Sequence, residues 1–231
     1  MTLSTVSLSV GSAELPLRVA LPVRPGPLLA VVPSIFGVGP DVVGFAERFA
    51  AMGALVAVFH PFWRRSSEPS DVDRDARQAL ARKREHREAD TLSDLEAVLN
   101  WGRIHPRSNG RTLALGICFG GRFAIQAAAR GWVDAAASWH GGGIGGLCAS
   151  APEIRVPVAM DFGGADPLIP LEEVDRIRVA FQHHPRVTVA VHPGAGHGFS
   201  HVGTRAAEPA AAEAAALRVE GLLQELMDVA P

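Results

Sequence analysis

The chain has 231 residues, a formal net charge of −2 and 48% hydrophobic residues. These values predict a folded protein with a sizeable core, because disordered chains are poor in apolar residues, and they exclude the basic surface of a nucleic-acid-binding protein. Two cysteines are too few for a disulfide framework. The first residues resemble no signal peptide, and no apolar run reaches the roughly 18 residues of a membrane helix. The sequence therefore predicts a cytoplasmic protein that is not bound to a membrane.

Segments with the pattern of strands alternate with segments of helical periodicity along the chain. The predicted strands span residues 2–10, 14–23, 28–33, 54–59, 112–117, 134–139, 156–162 and 187–192. The predicted helices span residues 41–52, 121–130, 170–183 and 208–227. A charged loop and a solvated helix are expected between residues 64 and 90, followed by a helix that begins at Thr91 and has Asp94 in a capping box. Such alternation predicts an α/β fold over residues 1–231, a single domain with about eight mostly parallel strands flanked by helices.

The segment 116–121 (GICFGG) lies between a predicted buried strand and a predicted helix. This is the pattern of a nucleophile elbow with Cys118 in the place of the usual serine. Glycines two positions before and after the nucleophile fit a turn too tight for side chains, and the following helix N-terminus favours a thiolate. The alternative is that Cys118 is a small buried hydrophobe, which is the common fate of a free cysteine.

An elbow nucleophile needs a base, and the base needs a group that orients it. In this fold class the acid and then the histidine follow the nucleophile along the chain. Asp166 lies in a loop after a predicted strand, whereas its competitor Asp161 falls inside that strand. His197 lies in a glycine-rich loop after the next strand. We therefore expect Cys118, His197 and Asp166 to be the catalytic residues.

An oxyanion hole is expected from two backbone N–H groups. One is that of Phe119, directly after the nucleophile. The other is predicted in the loop after the third strand, at Ile35.

Several weaker signals in the sequence have simpler explanations. The run 140–143 (HGGG) resembles a lipase oxyanion motif but follows the nucleophile, so we interpret it as a mobile loop near the pocket mouth. The histidines have no standard zinc spacing, so no metal or other cofactor is expected. Trp63 and Trp139 are candidate pocket walls, although core packing is the more frequent role of such residues. Cys148 has no partners that suggest chemistry.

The motifs are similar to those of the dienelactone hydrolase family of α/β-hydrolases. The resemblance covers nearly the whole chain and rests on residues 34–38 (SIFGV), 106–110 (PRSNG), 116–121 (GICFGG), 164–166 (GAD) and 196–199 (GHGF). It implies hydrolysis of small esters or lactones by a Cys–His–Asp triad, through a thioester at Cys118 and without a cofactor.

Two positions depart from the family pattern that the resemblance implies. Family members usually carry a glutamate near the cysteine where this chain has Ser34, and an arginine for the substrate carboxylate where it has His201. A second arginine would come from the charged helix, where the candidates are Arg77, Arg82 and Arg84. We expect Ser34, Phe36 and His201 to contact the substrate, and an acyl or lactone specificity other than that for dienelactone.

Two other functions remain open at the level of the sequence. A catalytically weak homologue that binds a small acidic or aromatic ligand is suggested by the missing glutamate. A thioesterase would use the same nucleophile on a different substrate. In each case the expected partner is a small molecule, with neither nucleic acid nor membrane, and the protein is expected to be a monomer or a small homo-oligomer.

Overall fold

The computed structural model describes residues 3–66 and 68–228. The strands are β1 Ser4–Val10, β2 Ala13–Ala20, β3 Gly26–Val32, β4 Leu55–Phe59, β5 Ser108–Ile117, β6 Ala135–Trp139, β7 Val158–Gly163 and β8 Val187–His192. The helices are α1 Pro40–Ala51, α2 Ala76–Arg84, α3 Glu88–Ile104, α4 Gly121–Ala129, α5 Leu171–Phe181 and α6 Pro209–Asp228.

The eight strands form one sheet in the order β1-β2-β4-β3-β5-β6-β7-β8. The pairs β1–β2 and β2–β4 are antiparallel, and every pair from β4–β3 to β7–β8 is parallel. The carboxyl ends of the parallel strands therefore meet at one edge, which is where open α/β sheets place their functional groups. The described residues contain no large lid domain.

Helices cover both faces of the sheet. Side chains of α3, α4 and α5 pack on one face, and those of α1 and α6 pack on the other. Every residue of β3, β4, β6 and β7 is buried, which explains their continuous apolar sequences. The α/β fold predicted from the alternation of elements is confirmed.

The element boundaries agree closely with the sequence predictions, and residues 187–192 agree at both ends. The predicted helix start at Thr91 is wrong, because α3 begins at Glu88. Thr91 and Asp94 lie inside this helix and are buried. The Asp94 carboxylate accepts hydrogen bonds from Trp63 and Arg64, so it does not cap the helix.

Residues Ile144–Glu153 form a 3-10 segment that the sequence did not predict. Thr2, the first residue of the predicted opening strand, lies outside the described residues. Within residues 3–66 and 68–228, the helices are all too short or too polar to cross a membrane.

Candidate active site

Cys118 follows β5 directly and lies at a sharp turn into α4. Its φ of 53° is in the left-handed region, which side-chain-bearing residues rarely adopt. A Cβ atom on Gly116 would lie 2.2 Å from the Gly120 carbonyl oxygen, and one on Gly120 would lie 1.8 Å from that of Val32. The turn therefore requires glycine at both positions, which is the steric reason that the sequence suggested.

His197 stands between Cys118 and Asp166. Its Nε2 lies 3.1 Å from Cys118 Sγ, and its Nδ1 lies 2.8 Å from Asp166 Oδ2. The second carboxylate oxygen of Asp166 accepts the N–H groups of Leu168 and Ile169 at 2.8 and 3.2 Å. These backbone bonds hold the buried carboxylate in one orientation, so the loops after β7 and β8 bring Asp166 and His197 to Cys118.

The surroundings of His197 favour the imidazolium ion. Burial opposes the positive charge, but the hydrogen bonds to Asp166 and Cys118 and the charges of both partners outweigh it and raise the pKa of His197 to about 10. The arrangement therefore favours a protonated His197 at neutral pH, with Cys118 on one side of the ring and Asp166 on the other.

The turn after β3 faces the elbow. Ser34 is fully buried, and its hydroxyl oxygen accepts the Phe36 N–H at 3.3 Å while its carbonyl accepts the Gly37 N–H at 3.0 Å. The Phe119 side chain packs against the Phe123 ring, with the centroids 5.0 Å apart. Ser34 thus shapes the turn that carries Ile35.

His201 is buried, and its side chain is not available to bind a substrate carboxylate. Its Nδ1 lies 2.6 Å from Asp41 Oδ2, and its ring meets the Phe36 ring at 5.8 Å. Ser34, Phe36 and Asp41 also line a cavity of about 250 Å³. The structure therefore brings Ser34, Phe36 and His201 together, with the charge of Asp41 next to the imidazole.

The two tryptophans lie elsewhere. Trp139 is completely buried, and its ring packs against Phe45 with the centroids 4.8 Å apart. The expectation that Trp139 lines a pocket is not retained, because this is core packing. Trp63 is half-buried and donates its indole N–H to Asp94 at 2.8 Å, while the Arg64 guanidinium stacks on its ring at 4.4 Å.

Of the three candidate arginines, Arg77 and Arg84 are exposed and Arg82 is half-buried. Arg82 donates to the Ser70 hydroxyl and, at 3.3 Å, to the Glu68 carbonyl. The Ser70 N–H in turn donates to the Phe36 carbonyl at 2.8 Å. Of these three arginines, only Arg82 is therefore connected to the turn after β3, through Ser70.

His140 is a residue whose placement the sequence did not predict. It follows β6 with a φ of 38°, is fully buried, and packs against His197 with the ring centroids 5.0 Å apart. Burial, together with the charges of His197 and His201, holds the pKa of His140 well below its usual value. The interpretation of residues 140–143 as a mobile loop is wrong for His140, which is a neutral core residue beside His197. Its position at the end of a predicted strand was the available signal.

Comparisons with known proteins identify the family of the chain. The model of the dienelactone hydrolase family matches residues 15–227. A putative carboxymethylenebutenolidase from Azospirillum brasilense is 30% identical over 199 residues, which cover 83% of this chain and 84% of that protein. The carboxymethylenebutenolidase of Pseudomonas putida is 29% identical over 180 residues, which cover 76% of this chain and 76% of that protein.

Solved structures share the fold. The crystal structure of a putative dienelactone hydrolase from Klebsiella pneumoniae superposes with a TM-score of 0.84 at 23% identity, covering 97% of this chain and 100% of that one. A dienelactone hydrolase-like promiscuous phosphotriesterase from metagenomic libraries superposes with a TM-score of 0.80 at 20% identity, covering 97% and 98%. With the family match over residues 15–227, these findings show that the chain belongs to the dienelactone hydrolase family of α/β-hydrolases.

Proposed function

We propose that this protein hydrolyses small carboxylic esters or lactones with Cys118 as the nucleophile, His197 as the proton carrier and Asp166 as the group that orients His197. The observation that carries the proposal is the line of contacts from Cys118 Sγ through His197 to Asp166, at 3.1 and 2.8 Å. These lengths are in the range of a working nucleophile–base–orienter arrangement.

In the first half of the reaction, Cys118 Sγ attacks the carbonyl carbon as a thiolate. The carbonyl π electrons move to oxygen and return when the C–O bond to the leaving group breaks, which leaves a thioester on Cys118. The leaving oxygen takes the proton that His197 holds on Nε2. With a lactone, the alcohol formed stays attached to the acyl chain.

In the second half, neutral His197 takes a proton from water as the water oxygen attacks the thioester carbonyl. The C–S bond breaks, the acid leaves, and the sulfur returns beside the protonated imidazole. Asp166 stabilises the imidazolium in both halves without taking the proton itself.

We assign the oxyanion hole to the backbone N–H groups of Phe119 and Ile35. The N–H groups of Phe36 and Gly37 already donate to Ser34. We therefore propose that the N–H of Ile35, rather than that of Phe36 or Gly37, donates a hydrogen bond to the developing oxyanion.

The carboxylates near the turn after β3 favour an uncharged substrate over one with a carboxylate. Asp41, Asp71 and Asp73 line the cavity next to Ser34 and Phe36. His201 occupies the position where the family pattern has an arginine for the substrate carboxylate, and its imidazole is hydrogen-bonded to Asp41. We accordingly propose neutral esters or lactones, accepted by one domain over residues 1–231 that acts in the cytoplasm as a monomer or small homo-oligomer.

The proposal is tested with a panel of neutral and acidic esters and lactones, scored by hydrolysis rate and by the mass of the intact protein. We expect turnover of neutral substrates, an acyl mass shift located at Cys118, and loss of both in Cys118→Ala. The matched control is Cys148→Ala, because Cys148 is also partly exposed but has no histidine partner. Full activity of Cys118→Ala would refute the cysteine mechanism.

The same panel separates the two other functions. A catalytically weak binding protein would bind members of the panel without hydrolysing any of them. A thioesterase would hydrolyse thioesters far faster than oxygen esters with the same acyl group.

A further inference from the structure

Cys118, His140 and His197 form a compact group of metal-binding side chains. One donor atom from each lies within 4.8 Å of the other two. We propose that these three residues bind a thiophilic divalent cation, Zn²⁺ in the first place, and that the bound ion blocks the nucleophile. The binding site follows from the three side chains alone, whereas the blocking effect rests on the proposed function.

The donor set is suited to zinc. One sulfur and two imidazole nitrogens are among the donors that zinc prefers, and three protein ligands leave a fourth position for water. Bonds of about 2.0–2.3 Å place the donors of a tetrahedral site roughly 3.5 Å apart. Since the donors lie within 4.8 Å of one another, each pair of donors needs to close by about 1.3 Å at most. Cys118 is partly exposed, so an ion has access from solvent.

Both histidines are already held by hydrogen bonds on the nitrogen that would face away from the metal. His197 Nδ1 is bonded to Asp166 at 2.8 Å, and His140 Nε2 lies 2.8 Å from the Ser200 hydroxyl oxygen. Histidines that bind metals nearly always have such a partner, which fixes the ring and the tautomer. His197 Nε2 and His140 Nδ1 are then the nitrogens left for the ion.

The state of His140 is an independent observation that points to a ligand. Its Nδ1 is buried and has no hydrogen-bond partner among residues 3–66 and 68–228. A buried polar atom without a partner is uncommon and calls for an explanation. In the tautomer that donates the Nε2 proton to the Ser200 hydroxyl, 2.8 Å away, Nδ1 presents a lone pair. A cation beside Cys118 gives this lone pair a partner.

Binding of the ion would abolish activity without unfolding the protein. The metal takes the place of the single proton that Cys118 Sγ and His197 Nε2 share, and that proton is released to water. The sulfur lone pair then belongs to the metal and cannot attack a carbonyl, and His197 can no longer carry a proton. A chelator removes the ion and returns the proton-bound pair.

The test begins with metal-free protein titrated with Zn²⁺ by calorimetry and with Co²⁺ by absorption spectroscopy. We expect one ion per chain, a thiolate-to-cobalt charge-transfer band, and inhibition of ester hydrolysis by Zn²⁺ that a chelator reverses. His140→Asn should weaken binding at least about tenfold. Asparagine is chosen because it tolerates positive φ better than most residues. Ser200→Ala should weaken binding less, and it carries the test if His140→Asn does not fold.

The control is His183→Asn, which removes an exposed histidine away from the cluster and should leave metal affinity unchanged. Zinc affinity of His140→Asn and Ser200→Ala equal to that of the unmodified protein would overturn the proposal, as would a cobalt complex without the charge-transfer band. A cobalt site that forms in a protein without esterase activity would refute the proposed function but not the metal site.

Discussion

The carboxylate of Asp161 in β7 lies 2.8 Å from Nε2 of His192 at the end of β8, and the Asp166–His197 pair repeats this contact five residues further along each segment, in the loops that follow. In each pair the two residues are 31 positions apart. Spacing alone therefore cannot distinguish the two acids. The two pairs differ in the third residue that each contacts. In the Asp166–His197 pair the histidine contacts Cys118, whereas in the Asp161–His192 pair the carboxylate accepts a hydrogen bond from Arg218 at 2.7 Å.

Asp166→Asn should reduce kcat by about 10² to 10⁴-fold while leaving the fold intact. The amide can still accept the N–H groups of Leu168 and Ile169, but it neither stabilises the imidazolium nor fixes its tautomer. The measurement is steady-state hydrolysis of a neutral aryl ester, with circular dichroism to establish folding. A loss smaller than tenfold would remove Asp166 from the proposed triad.

Asp161→Asn is the matched variant, and it should lower stability while leaving kcat nearly unchanged. It leaves His192 and the partly exposed Arg218 facing an uncharged amide, so the free energy of unfolding should fall by roughly 2 kcal/mol, less than for a fully buried pair. Its kcat should remain within about threefold of the unmodified value, because no contact joins Asp161 to Cys118 or His197. Urea unfolding and the same kinetic assay distinguish the two variants.

The protonation of His197 can be measured directly. Because hydrogen bonds and charge from Asp166 and Cys118 raise the pKa of His197 to about 10, its ring proton signals in NMR should show the imidazolium throughout neutral pH. In Cys118→Ala the contributions from the sulfur vanish, so the midpoint should move to lower pH. A midpoint that stays the same in the variant would show that the cysteine does not contribute to the charge of His197.

Most of the fold and the central contacts of the site follow from local sequence patterns. Glycines at 116 and 120 around Cys118 specify the turn, and loop positions after two strands specify Asp166 and His197. His140 was missed because its burial depends on Ser200 and Phe199 from a distant loop. The Asp94 contacts were missed for the same reason, since Trp63 and Arg64 lie about 30 residues away. Long-range polar pairing leaves no periodic signal in the sequence.

The elbow glycines should be intolerant of a single methyl group. Gly120→Ala places a Cβ 1.8 Å from the Val32 carbonyl oxygen, a backbone atom that cannot move without shifting β3. We expect a destabilisation of about 3 kcal/mol or more, or failure to fold. Gly146→Ala is the control, since its added Cβ meets nothing within 4 Å and should change stability by less than about 0.5 kcal/mol. Equal stability of the two variants by urea unfolding would contradict the steric account of the turn.

His60 should make the protein sensitive to acid. The ring is buried against Gly37, its Nδ1 accepts the Phe62 N–H at 3.0 Å, and burial together with the charge of Arg82 lowers its pKa to about 4. In the unfolded chain the pKa of His60 is about 6.5, so between pH 6.5 and 4 the unfolded state binds up to one more proton than the folded state. Stability that is present above pH 6.5 is therefore lost as the pH falls towards 4, by at most about 3 kcal/mol.

The measurement is urea unfolding at pH 6.5 and pH 4 of the unmodified protein and of His60→Asn, whose amide oxygen keeps an acceptor for the Phe62 N–H. Burial of other histidines adds to the acid sensitivity of both proteins, so the quantity of interest is the difference between their losses. We expect the unmodified protein to lose up to about 3 kcal/mol more than the variant over this range. His183→Asn, which removes an exposed histidine, should behave like the unmodified protein. If the losses of His60→Asn and the unmodified protein are equal, His60 titrates normally and its ring is hydrated in the folded state.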